Sequence, residues 1–539
     1  MTFVHQEDGI RWLLEREESG LQLGIQQPIY GGLLCDDMGM GKTKQLTQLI
    51  VRRTVPLTLI VAPVSVLGQW RDIIIASSPL SVYQCISRKQ ARQIRSNGKC
   101  DIALIPAPAI VLASYGQVMA PHANGQLSDP FPGTIWDRVI LDEAQAIKNA
   151  KTLTCHSAQQ LKMSSIGSRW AVTGTPVQNR LDDIYALFKF IGVSQQLLRK
   201  KNIGAAQWLF AQLALRRTVA DLTPEQIAII HFPEAFVSTD CDIVYGSEEE
   251  EEFYRRATGN IMHQLAKLAN YKNQQLAARC RLELINQLRF LAVHPNIYIN
   301  AVNKQRPDND KWARWDGTVS KNVNVMQLIN RLRTEGASFI LFTHFIEEMR
   351  IYKAAIEAIG YKVYEVHGGQ TAIQREHEIA LSRNTGCVTR DQITTILEDY
   401  VPSDIAWHIA EMATPLQAML IHIRAGGAGL NLQHFANVII PSPDWNPAAE
   451  AQAIGRCHRI GQQKRVRVWR FYIREVQGAI EQIEVYMRTR QEEKKAIAAA
   501  VVDPILSPEA NAAGVKMVRM TAGRGKKSTP SWIVRLDEL

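Results

Sequence analysis

The chain has 539 residues, of which 46% are hydrophobic and 21% charged, and a formal net charge of +10. That length suits about two to four domains with ordinary cores, and no apolar run approaches the roughly 18 residues that make a membrane span, so an intracellular protein with no membrane partner is expected. Eight cysteines, at 35, 85, 100, 155, 241, 280, 387 and 457, include no C-x-x-C pair, which argues against zinc and against a secreted disulfide framework. The excess of 62 basic over 52 acidic side chains favours a polyanionic partner without naming one.

Taken in chain order, the first strand-like run is "GGLLC", which feeds a turn with two acids and two glycines and then Lys42 and Thr43. A strand, a glycine-bearing turn and a helix start form a cradle for phosphate, since free N–H groups and the helix dipole converge there. Lys42 would supply a point charge to the phosphates and the Thr43 hydroxyl a Mg²⁺ ligand. Asp36 stands where the G-x-x-x-x-G-K-[ST] pattern wants its first glycine, so a distant carboxylate partner is needed to separate this reading from a chance Gly-Lys-Thr at a helix start.

Further strand-like runs, "LTLIVAP", "AIVLAS", "RVILDE" and "RWAVTGT", alternate with helical stretches. Asp142 and Glu143 close one of them, and a parallel sheet would bring both to the carboxyl edge beside the loop. There Asp142 can hold Mg²⁺ and Glu143 can polarise the attacking water. From about 180 to 325 the pattern turns helical, and the run Glu248 to Glu252 in it suggests a solvated helix start. A second block follows, with "SFILFT", "YKVYEV", "AMLIHI", "NVIIPS" and "VRVWRFYI". Two parallel-sheet α/β units are therefore expected. Seven Lys or Arg and no acid lie between Arg456 and Arg474, a pattern common on solvated faces. Beyond about 505 the chain is poor in large apolar residues and a loosely ordered tail is expected.

The motifs "DDMGMGKT" (36–43), "DEAQ" (142–145), "TGTPVQN" (173–179), "RAGGAGLNL" (424–432), "DWNP" (444–447) and "QAIGRCHRIGQ" (452–462) occur in order, and "HQEDGIRWLL" (5–14) precedes them. Together they resemble the Swi/Snf family of superfamily 2 helicase-like DNA translocases, from residue 5 to about residue 490. The resemblance implies two RecA-like lobes: residues 1–195, a helical inter-lobe segment 196–325, a second lobe 326–490, and 491–539 as C-terminal helix and tail. It implies ATP with Mg²⁺, Gln6 reading the adenine, and Gly39, Met40, Gly41, Lys42, Thr43 and Lys44 around the phosphates. Arg456 and Arg459, three apart and so on one helical face, would be the fingers delivered from the second lobe, which overturns the solvated-face reading for these two. Lys464, Arg465 and Arg467 keep it, beside an equal reading as phosphate contacts.

Coupling would run through Gln145, Thr173, Gly174, Thr175, Gly427, Gly429, Asn431 and Gln452. Double-stranded DNA would be held by its backbone, independent of sequence, at Ser65, Ser114, Tyr115, Thr175, Thr343 and Arg424, and DNA-bound proteins are the expected targets of the motion. Each of those Ser and Thr positions also suits a plain helix cap after a strand. "LALRRTVADL" (213–222) and "LRFLAVHP" (288–295) resemble the family's inter-lobe brace, with simple packing the bland alternative. Departures are Gln145 for a usual histidine, His344 for a frequent glutamine, and a stretch at 385–414 longer than the family's link, expected as a surface insertion. No chromodomain, bromodomain or RING-like cluster is recognised, so a bare motor is expected, nuclear in a eukaryote or its virus. A strand-separating helicase and an inactive nucleic-acid binder are the competing functions.

Overall fold

The computed structural model describes residues 2–24, 27–123, 126–199, 201–230, 233, 235–268, 273–304, 306–383, 416–426, 432–473 and 483–502. The expected insertion 385–414, the tail, Gly427, Gly429 and Asn431 lie outside the described residues. Among the described residues, no helix is long and apolar enough to cross a membrane.

Strands β1 (Gly31–Leu34), β2 (Leu57–Ala62), β3 (Ser81–Cys85), β4 (Gln90–Gln93), β5 (Lys99–Asp101) and β6 (Ala109–Ser114) belong to the first lobe. A small hairpin, β7 (His122–Ala123) with β8 (Gln126–Leu127), stands apart, and β9 (Trp136–Asp142), β10 (Met163–Val172) and β11 (Ala214–Leu215) complete the sheet. Its order is β11-β1-β10-β9-β2-β6-β3-β4-β5, parallel as far as β3, with β4 and β5 added antiparallel. Strands β1 and β6 are buried along their whole length, as a sheet covered on both faces requires. Helices α1 (Val4–Ser19), α2 (Lys42–Arg52) and α3 (Val64–Ser77) cover one face, with Leu13, Leu46, Leu49 and Trp70 in its core.

The second lobe takes β12 (Val237–Ile243), β13 (Phe339–Thr343), β14 (Lys362–Val366), β15 (Gln417–His422), β16 (Asn437–Ile440) and β17 (Arg467–Ile473) in the order β12-β17-β16-β13-β15-β14, all parallel. The expected alternation is thus present in both blocks. The segment 196–325 is not helical throughout: it gives β11 to the first sheet and β12 to the second. Its long helices, Glu248–Leu268 and Gln274–Val293, pack as an antiparallel pair against Ile473, Ile483 and Met487. The acidic run does start the first of them, but Glu250 is buried there, accepting from Ser320 N at 2.8 Å.

The helix Ile483–Val502 joins the lobes a second time. Its first turns are tied to the second lobe, where Glu484 pairs with the buried Lys321 and accepts from Ile473 N at 2.9 Å. Its last turn enters the first lobe's core through Val501 and Val502, and Gln207 donates to Ala500 O at 2.6 Å. Of the two motifs expected as a brace, 213–222 places Leu222 against Met40 of the first lobe and Ile460 of the second, and 288–295 packs with Ile473 and Met487 on the second-lobe side.

Candidate active site between the lobes

The loop after β1 turns at Gly39 (φ 85°) and Gly41 (φ 83°), both in the left-handed region that glycine tolerates best. Gly41 is also fixed by space: a Cβ there would lie 2.4 Å from Gln6 Nε2. Gln6 itself is buried, donates to Met40 O at 3.2 Å and accepts from Phe3 N at 3.2 Å. Met40 is enclosed by Phe3, Leu222 and Ile460, and Lys44 lies over the Phe3 ring at 5.3 Å.

Lys42 opens α2 and folds back on the loop, donating to Asp36 O at 2.7 Å and Asp37 O at 3.0 Å. Burial lowers its pKa, against the pull of Asp36, Glu143 and Asp142. Asp142 ends β9, where Trp70 Nε1 donates to its Oδ2 at 2.8 Å and Glu143 N to its Oδ1 at 3.0 Å. Burial, followed by the Glu143 carboxylate beside it, pushes the Asp142 carboxyl up to about 6. Glu143 has φ 53°, a strained conformation for a glutamate that surrounding structure must enforce. Gln145 Nε2 donates to Glu143 Oε2 at 2.7 Å.

From the second lobe, Arg456 and Arg459 follow the helix Pro447–Ile454. Arg456 Nη2 stands 3.7 Å from Glu143 Oε1, across the cleft. Burial lowers the pKa of both guanidiniums, Arg456 adding to the effect on Arg459. The lobes meet closely here: a Cβ on Gly455 would lie 3.1 Å from Met38 Sδ. Asn446 Nδ2 donates to Gln178 Oε1 at 3.2 Å nearby. A cavity of about 300 Å³ lies between them, lined by Gln6, Gly39, Gly41, Lys42, Thr43, Lys44, Asp142, Glu143, Arg456 and Arg459 together with Phe3 and Val66. The residues expected to surround the triphosphate are brought together.

The other candidates are placed less uniformly. Thr173 is buried and its Oγ1 accepts from Thr175 N at 3.0 Å, while Gly174 lies over Lys42, a Cβ there being 3.6 Å from Nζ. Thr175 Oγ1 accepts from Gln178 Nε2 at 3.0 Å. Gln452 is half-exposed on the helix that leads to Arg456. Ser65 is half-exposed in the first turn of α3. Ser114 caps the short helix Tyr115–Val118, its hydroxyl accepting from Gln117 N, as the plain capping alternative required. Tyr115 donates to the main-chain Asp142 O at 2.8 Å. Thr343 is fully buried and faces no groove. Arg424 lies in the helix Ile423–Gly426, and its side chain is outside what the structure describes. His344 is buried, which pushes its pKa down to about 4; its Nε2 lies 2.9 Å from Ser442 O and its Nδ1 3.4 Å from Asp444 Oδ2. Arg467 pairs with Glu335 at 2.7 Å and donates to Asn437.

Comparison with known proteins decides the family. A SNF2-related domain matches residues 5–201 and a helicase conserved C-terminal domain residues 392–461. The chain belongs to the Snf2 family of ATP-dependent, helicase-like enzymes. Among relatives, the "Probable global transactivator" of Orgyia pseudotsugata multicapsid polyhedrosis virus is 26% identical over 93% of this chain and 91% of its own length. The DNA repair protein rad5 of Emericella nidulans is 28% identical over 57% of this chain, and the ISWI chromatin-remodeling complex ATPase ISW1 of Saccharomyces cerevisiae 23% over 86%. This Snf2-family chain spans only 29% and 38% of those two proteins. A solved Sulfolobus solfataricus SWI2/SNF2 ATPase core in complex with dsDNA aligns over 95% of this chain and 96% of its own at 20% identity, with a TM-score of 0.35.

Two features escaped the motifs. Trp70 anchors Asp142 from within "APVSVLGQW", where a buried indole gave no sign of a carboxylate partner. Arg216 and Arg217, inside the stretch "LALRRTVADL" expected only as a brace, reach the phosphate loop itself.

Proposed function

We propose that the protein is a duplex-DNA-stimulated ATPase that moves along the DNA backbone and displaces or remodels bound protein. The observation that carries this is Arg456 and Arg459 facing Lys42, Thr43, Asp142 and Glu143 around one cavity contributed by both lobes. Phosphoryl transfer spreads negative charge over the γ-phosphate oxygens, and arginines supplied across a cleft stabilise that charge. Lys42 and the loop N–H groups hold the phosphates. Glu143, oriented by Gln145, orients and polarises the attacking water. Thr43 and Asp142 fit Mg²⁺: two adjacent carboxyls, the buried Asp142 pushed up to about 6 and the half-buried Glu143 beside it, carry an excess of negative charge that a divalent cation relieves. When bound, that ion neutralises charge on the phosphates.

Opening and closing of the cleft would alternate which lobe grips the DNA. Ser65, Tyr115, Thr175 and Arg424 are the proposed backbone contacts, and the names of the repair and remodelling relatives support a DNA substrate. Contacts of this kind release counterions, so affinity should fall steeply with salt. The test is ATP hydrolysis with duplex DNA, single strands and RNA as stimulants, alongside triplex-displacement and strand-displacement assays. Duplex stimulation and triplex displacement without strand separation are expected. Strand separation would transfer the protein to the helicases, and hydrolysis indifferent to duplex DNA would overturn the proposal.

A further inference from the structure

The first glycine missing from the phosphate loop is replaced by Asp36, which is fully buried. A buried carboxylate is costly unless its charge is matched and its lone pairs are occupied. Lys42 attracts that carboxylate but does not bond it, because its ammonium is committed to the main-chain oxygens of Asp36 and Asp37. Arg217 does, with Nε 3.0 Å from Asp36 Oδ1 and Nη2 2.5 Å from Oδ2, and Gln45 Nε2 completes the shell at 3.0 Å. Arg217 also donates to His5 O and, at 2.9 Å, to Gln45 Oε1. α1 presses so closely on this cluster that a Cβ on Gly9 would lie 2.0 Å from Gln45 Oε1 and 2.6 Å from Arg217 Nη2. Arg216 does the same for the next acid, lying 2.7 Å from Asp37 Oδ1 and donating to Cys35 O at 2.7 Å and Gly174 O at 3.2 Å.

Both arginines stand on the segment that leaves the first lobe. That segment pairs with β1 through Leu33 and Leu34 and continues the ladder into the phosphate loop: Cys35 N donates to Leu215 O at 2.7 Å and Asp37 N to Arg217 O at 2.8 Å. Five residues further on, Leu222 packs against Met40 and Ile460. We infer that Arg216 and Arg217 are positioning residues for nucleotide binding: they hold the phosphate loop through Asp36 and Asp37, and so tie its shape to the inter-lobe connector. Without them two carboxylates would compete with the phosphates for Lys42. The inference rests on the nucleotide site proposed above, though not on DNA-stimulated turnover.

The test uses the full chain, a fluorescent ATP analogue with Mg²⁺, and a short duplex in the absence of nucleotide. Arg217→Lys keeps the charge but loses the two-pronged geometry. It should weaken analogue binding about tenfold, on the order expected from the loss of one charge-assisted hydrogen bond, and leave duplex affinity and the melting temperature near wild type. Arg216→Lys should do the same to a smaller degree, and Asp36→Asn combined with Arg217→Lys should be no worse than the weaker-binding single variant. Wild-type analogue affinity in Arg217→Lys would overturn the inference, as would a parallel loss of analogue and duplex affinity, which marks a general structural role. If wild type binds the analogue but no nucleic acid stimulates hydrolysis, the function above fails while this comparison still decides the positioning role.

Discussion

The two lobes hold their shares of the cleft by different means. In the first, the functional groups sit at strand ends inside one hydrogen-bonded frame: Lys42 follows β1, Asp142 ends β9, and Thr173 N donates to Leu34 O at 3.1 Å. In the second, Arg456 and Arg459 ride on turns after a helix, held by Leu432 N to Arg456 O at 3.1 Å and by Gln462, whose Nε2 donates to Gln433 O at 2.7 Å and Phe435 O at 2.9 Å. The carboxylates and lysine therefore keep their mutual geometry whatever the cleft does. The arginines reach it only as far as the angle between the lobes allows.

Breaking the second lobe's share should cost most. Arg459→Ala or Arg456→Ala is expected to lower kcat by about 10³ to 10⁵ while ATP binding weakens far less, measured by single-turnover hydrolysis beside equilibrium binding. In the fixed half, Glu143→Gln should lower turnover by about 10² to 10⁴ and leave ATP binding intact; retained turnover would remove Glu143 from its proposed role. The contact between the halves comes next. Gly455→Val should drive a side chain into Met38 and reduce kcat about tenfold, at the level of a ~1.4 kcal/mol loss of closure. Met38→Ala in the same chain should restore part of it.

The smallest effect is in the pH profile of kcat/KM, which reports groups of the free enzyme. Burial and Glu143 raise the Asp142 carboxyl to about 6, and only the ionised form suits Mg²⁺, so kcat/KM should fall as pH drops through about 6. The same shift acts oppositely on stability. The folded carboxyl binds its proton more tightly than the unfolded one, so its stabilising contribution is present at low pH and lost as pH rises through that value. Asp142→Asn should abolish that pH dependence of stability in thermal melts.

Most of the nucleotide side was legible because its chemistry is local. "DDMGMGKT" and "DEAQ" each follow an apolar strand directly, and strand order does the rest. The connector's strands were not legible. β11 is two residues long, and β12, "VSTDCDI", is mostly exposed and polar, so neither carries a hydrophobic run to mark a strand. The capping Ser114 and the buried Thr343 show a different limit: a hydroxyl at a strand end has the same sequence whether it meets DNA, a helix N–H or the core. Arg216 and Arg217 were visible as a pair, yet nothing in their neighbourhood names partners 181 residues away.

The helix Ile483–Val502 has a mechanical consequence. At 20 residues it is about 30 Å long, fastened to one body at its start and to the other at its end, while the chain near Leu222 joins the same two bodies at another point. Two rigid objects attached at two separated places keep, to first order, a single freedom, which is swivelling about the line through the attachments. Under the proposed translocation, each catalytic cycle would repeat one arc of fixed direction, and the size of the advance per ATP would be written into the positions of those fastenings.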